Sequence, residues 1–141
     1  MASKDLYNNI EVMRMISPGD YDTSGQPDAQ VIDTQGYESV TVVFFAGAIT
    51  TSQTMTLEHS VDDSVWDNIE AGDIIADPDN SAADIRTAFL TTGTTDHIIN
   101  VVGYKGPRRF LRVNPTTAND GAFFCVFAIL GNPQNAPVDR S

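Results

Sequence analysis

Ser39-Val40-Thr41-Val42-Val43-Phe44-Phe45-Ala46 decides the fold class, because the run is β-branched or aromatic nearly throughout. Side chains of this kind pack well on a pleated surface, and apolar residues at consecutive positions leave no polar face for water. The run reads as a central strand, either buried on both faces or passing into a subunit contact.

Working outward, short strand signals recur between Gly, Pro, Asn and Asp punctuation, seven or eight in all, the pattern of a sandwich or barrel. On the N-terminal side, residues 10–16 and 29–33 read as strands separated by a turn-rich stretch that begins at Ser17-Pro18-Gly19-Asp20. On the C-terminal side, Thr54-Met55-Thr56-Leu57-Glu58-His59-Ser60 alternates with period two, placing Met55, Leu57 and His59 on one face. Residues 66–75 offer a further short strand. Asp77-Pro78-Asp79-Asn80 then forces a turn, and Ser81 could open a single helical turn. Residues 97–104 and 110–113 read as a hairpin with a basic tip at residues 105–109, and residues 122–130 form the last strand.

The expected architecture is all-β: one antiparallel β-sandwich or jelly-roll-like domain over residues 10–131, with extended arms at 1–9 and 132–141. Its expected core includes Val40, Val42, Phe44, Leu57, Val101, Phe110, Val113, Phe124, Val126 and Ile129.

At 141 residues and 41% hydrophobic content, one domain can bury a core without a metal or disulfide. The single cysteine, Cys125, lies in the apolar run 122–130 and reads as a buried thiol in a chain that matures in a reducing cytosol. A net charge of −11 repels phosphate backbones and argues against nucleic acid as a partner. No apolar run approaches the roughly 20 residues of a membrane helix.

The chemistry-bearing residues form no catalytic signature. His59 and His97 lack metal-ligand spacing, and no serine sits in a nucleophile elbow, so the chain reads as a non-enzyme without a cofactor or metal. Asp77, Asp79 and Asp84 bring oxygen ligands close together but lack the glycine and terminal glutamate of an EF-hand loop. Trp66 follows an acidic turn, Asp62-Asp63, and either anchors that turn to the core or faces a ligand such as a glycan. Four of the eight basic residues, Lys105, Arg108, Arg109 and Arg112, fall within eight positions. They suit either a solvated strand edge or pairing with carboxylates on a neighbouring subunit.

The order of segments carries a resemblance. Val31-Ile32-Asp33-Thr34-Gln35-Gly36-Tyr37-Glu38-Ser39-Val40 is followed by Met55-Thr56-Leu57-Glu58-His59-Ser60-Val61-Asp62-Asp63 running to Trp66. Val102-Gly103-Tyr104-Lys105-Gly106-Pro107-Arg108-Arg109-Phe110-Leu111-Arg112-Val113 and Leu130-Gly131-Asn132-Pro133 complete the series. Over most of residues 28–138 the chain resembles small structural proteins encoded among the head genes of tailed bacteriophages. That resemblance implies a virion component, above all a decoration or cement protein on the capsid exterior. It further implies a homotrimer whose partner is the major capsid protein lattice, contacted here through Lys105, Arg108, Arg109 and Arg112. A head-tail completion or tail-tube protein is the alternative it leaves open, and a glycan-binding module is a second.

Overall fold

In the computed structural model, residues 5–21, 29–49, 54–75, 99–117 and 121–135 are described. They run as β1 (Ile10–Tyr21), β2 (Ile32–Asp33), β3 (Tyr37–Ile49), β4 (Thr54–Ser60), β5 (Asp67–Asn68), β6 (Ile74–Ile75), β7 (Ile99–Tyr104), β8 (Phe110–Thr117) and β9 (Ala122–Pro133). Single 3-10 turns precede β1 at Tyr7–Asn9 and β6 at Ala71–Asp73. The strands form two antiparallel sheets, a five-stranded one in the order β1-β9-β3-β7-β6 and a four-stranded one in the order β2-β8-β4-β5. The chain is an all-β sandwich, as its strand pattern predicts.

Period-two alternation builds the core between the sheets. Val40, Val42, Phe44 and Ala46 point inward from β3, and Phe124, Val126, Ala128 and Leu130 do so from β9. Met55, Leu57, Leu111 and Val113 face them from the smaller sheet, all but water-free. Each fully buried aliphatic side chain of this set contributes about 1.5–3 kcal/mol through the water it leaves. Met55, Leu57 and His59 share the buried face of β4, as read from the sequence.

The same alternation corrects three expected core positions. Val101 is 54% exposed, and Phe110 and Ile129 are only half-buried, because Val102, Leu111 and Leu130 occupy the inward positions beside them. Cys125 is likewise no core thiol. It falls between inward-facing Phe124 and Val126, half-buried on the outer side of the five-stranded sheet, where partial burial pushes its thiol pKa up.

Strand limits shift for identifiable reasons. Ser17-Pro18-Gly19-Asp20 is not a turn but the continuation of β1, which among the described residues pairs only with β9. An edge strand needs ladder donors on one side alone, so Pro18 is tolerated there, and register shifts beside Ile16 absorb the irregularity. One of these shifts puts Met15 and Ile16, adjacent in sequence, both in the core. Residues 66–75 are not one strand either, since β5 joins the small sheet and β6 the large one. The segment expected at 29–33 is a strand only at Ile32–Asp33. The turn at 77–80, the helical turn at Ser81 and His97 lie outside the described residues.

The Gln134 N–H donates to the Gly36 carbonyl at 2.8 Å, which ties the described C-terminal end to the start of β3. At the other end the Asp5 carboxylate accepts the Asn8 backbone N–H at 3.1 Å, a contact within the N-terminal segment itself.

Candidate functional site: a basic corner between the sheets

Residues 105–109 do not form a hairpin tip. β7 belongs to the five-stranded sheet and β8 to the four-stranded one, so this segment is a corner that carries the chain from one layer to the other. Tyr104, the last residue of β7, is 6% exposed and holds the corner closed. Its hydroxyl accepts the Arg108 N–H at 3.2 Å and lies 3.3 Å from the Arg108 carbonyl and 3.0 Å from His59 Nδ1. The Lys105 N–H donates to the Asp73 carbonyl at 2.8 Å. Gly106 passes so close to the tyrosine ring that a Cβ there would stand 2.6 Å from three of its atoms.

His59 is packed under this corner at 4% exposure, with its Nδ1 4.0 Å from an Asp73 carboxylate oxygen. Burial lowers its pKa below the ordinary value and the nearby Arg108 guanidinium adds to that, while Asp73, Asp67 and Glu70 pull the other way. Burial also raises the Tyr104 pKa, so both groups rest in their neutral forms near pH 7.

The four cations singled out in the sequence do come together around this corner and the start of β8, but three are already engaged. Arg108 pairs with Asp67 of β5. Arg109 forms a two-pronged contact with Asp33 of β2, Nε to Oδ1 at 2.7 Å and Nη2 to Oδ2 at 2.6 Å, which holds the Asp33 carboxyl below the usual carboxylate range. Arg112 Nε donates to Glu58 of β4 at 2.6 Å, and Asn114 fills the other Glu58 oxygen at 2.9 Å. Among the described residues, Lys105 is the member of the group that makes no ion pair, and it is exposed.

These pairs serve the corner. Each guanidinium reaches a different strand of the smaller sheet: Arg108 and Arg109 pin the corner at two points, and Arg112, the third residue of β8, ties the strand that follows to β4. Two-pronged, charge-assisted contacts are geometrically specific, and for an exposed pair such as Arg109–Asp33, screened by water, that specificity matters more than strength. The acidic partners escaped sequence reading. Glu58 and Arg112 lie directly opposite in the β4–β8 ladder, a relationship visible only once the register is known.

The acidic turn ahead of Trp66 is likewise consumed by structure. Asp62 Oδ1 accepts the backbone N–H groups of Ser64 at 3.0 Å and Val65 at 3.1 Å, and Ser60 Oγ accepts that of Asp63 at 3.0 Å. Those hydrogen bonds hold the Asp62 carboxyl far below the usual range, and Asp63 takes a positive φ of 61° to close the loop. Arg112 stacks its guanidinium 4.2 Å above the half-buried Trp66 ring, covering one face of the indole. Among the described residues no group of three or more His, Cys, Asp or Glu side chains could hold a metal ion, and no buried side-chain nitrogen or oxygen lacks a partner. Asp77, Asp79 and Asp84 lie outside the described residues.

No protein-family model, curated protein or solved structure matches the chain.

Proposed function

We propose that this chain is a non-enzymatic virion structural protein of a tailed bacteriophage, which decorates the capsid exterior as a homotrimer and stabilises the major capsid protein lattice. The observation that carries this reading is the basic corner. An acidic body of net charge −11 presents one pinned segment on which Lys105 makes no ion pair among the described residues and Arg109 remains 46% exposed. A cation held on a rigid corner docks against carboxylates of a neighbouring shell with little loss of freedom on binding. Many such contacts, each weak, sum across a repeating lattice, and binding only the assembled shell shifts its equilibrium toward assembly. The resemblance of the segment order to phage head-gene proteins supports the same assignment.

The corner also refines which residues report on docking. Arg108 and Arg112 are tied into the fold through Asp67 and Glu58, whereas the exposed Lys105 side chain makes no ion pair among the described residues. Co-sedimentation of the purified chain with purified phage heads tests the proposal. The wild type is expected to pellet with heads to saturation, and Lys105→Glu to bind several-fold more weakly while melting like the wild type. Binding that is indifferent to Lys105→Glu together with Arg109→Gln would remove the corner from the contact.

A further inference from the structure

The outer face of the five-stranded sheet is apolar where a sandwich normally meets water. Val12, Phe45, Ile75, Ile99, Val101 and Phe123 are each 47–59% exposed there. The ladder registers make them one surface. Val43 stands between Val101 and Phe127, Phe45 between Ile99 and Cys125, and Thr41 between Gly103 and Ile129, which itself pairs with Val12. Lys105 and Glu38 border this face at one end, and Arg14 and Asp20 lie along the β1 edge.

We propose that this face is where a second copy of the chain docks, which rests on the reading of the protein as a homo-oligomeric shell component and names its self-association surface. Three observations favour a copy over a foreign partner. Six large apolar residues, each about half exposed, share one sheet face, a concentration of apolar surface suited to the ~800 Å² that each partner of a stable interface buries. The interior of the patch carries no charge, so two chains of net charge −11 can approach through it without opposing carboxylates. Its border holds both signs, Arg14 and Lys105 with Asp20 and Glu38, which a surface needs if it is to meet another copy of itself without like-charge repulsion.

The face also has relief. Gly103, which pairs with Ile75, lines an open groove of about 380 Å³ together with Val101, Ile75 and Thr41, with Lys105 and Glu38 also on its lining. A Cβ at Gly103 would approach the Ile75 Cβ to 3.0 Å, so glycine keeps the two strands close and the floor open. A protruding aromatic such as Phe45 of a second copy fits that groove as an anchor side chain fits a pocket.

Sedimentation velocity across a micromolar concentration series tests the proposal on the full chain, with Val101→Lys and Phe45→Ser as variants and circular dichroism as the folding control. The wild type is expected to sediment as a multimer and both variants as folded monomers. Cys125, on the same face, is expected to react slowly with a thiol reagent in the wild type and several-fold faster in the variants. A wild type that stays monomeric throughout overturns the proposal, as does a multimer that survives both substitutions. Loss of the β-sheet signal in both variants means that these side chains are needed within the chain itself, and overturns it too. Head binding is read separately: a multimer that dissociates as expected but ignores phage heads leaves this interface standing and removes the decoration reading.

Discussion

The Tyr104 hydroxyl lies 3.0 Å from His59 Nδ1 at the point where the chain leaves the five-stranded sheet for the four-stranded one. The same oxygen accepts the Arg108 N–H, so one buried phenol joins β4, β7 and the corner. Removing it strands two polar partners at once. Tyr104→Phe is therefore expected to lower stability by about 1–3 kcal/mol in urea titrations, with an unchanged β-sheet spectrum.

Proton binding by His59 works against the fold. Its folded pKa lies below the ordinary 6.5 because burial disfavours the imidazolium, so the unfolded chain takes up the proton first as pH falls. Stability is expected to be greatest above pH 6.5 and to decline below it, well before the Asp33 carboxylate, whose folded pKa lies under 3.8, begins to titrate. Thermal melts of wild type and His59→Gln across that range check the sign: the slope between the two windows should be present in the first and flattened in the second.

Gly106 is required by the ring above it. A methyl group there would overlap Tyr104 and push its hydroxyl away from His59 and Arg108. Gly106→Ala should cost about 1–3 kcal/mol by thermal unfolding, and combining it with Tyr104→Phe should cost less than the sum of the two, since both act on one contact.

The Glu58–Arg112–Trp66 stack predicts an optical signal. Glu58 is 9% exposed and receives both Arg112 and Asn114, so Arg112→Ala leaves a nearly buried carboxylate with a single donor. A loss of about 1–3 kcal/mol is expected. Trp66 fluorescence should change in the folded state, because the guanidinium leaves the indole face. Glu58→Gln in the Arg112→Ala background should recover part of the stability.

Much of this fold was legible because two-residue alternation is a local property: the inward sets of β3, β4 and β9 follow from Val42, Leu57 and Val126 without any knowledge of pairing. The parity errors at Val101 and Ile129 arose where apolar residues are consecutive, since a run such as Ile98-Ile99-Asn100-Val101-Val102 does not say which side faces in. The hairpin reading of 105–109 failed for a different reason. A short connection between two strands looks the same whether it folds within one sheet or crosses to the other, and only the Tyr104 contacts reveal the crossing. The basic cluster was visible in the sequence as a run of residue types, but its carboxylate partners Asp33, Glu58 and Asp67 lie far away along the chain and required the sheet registers.

Cryo-electron microscopy of purified phage heads saturated with this protein tests the functional account most directly. The account predicts added density on the capsid exterior, in threefold units, with the Lys105–Arg109 corner against acidic residues of the shell. Heads that remain bare under saturating protein, or density confined to the head-tail connection, would contradict it.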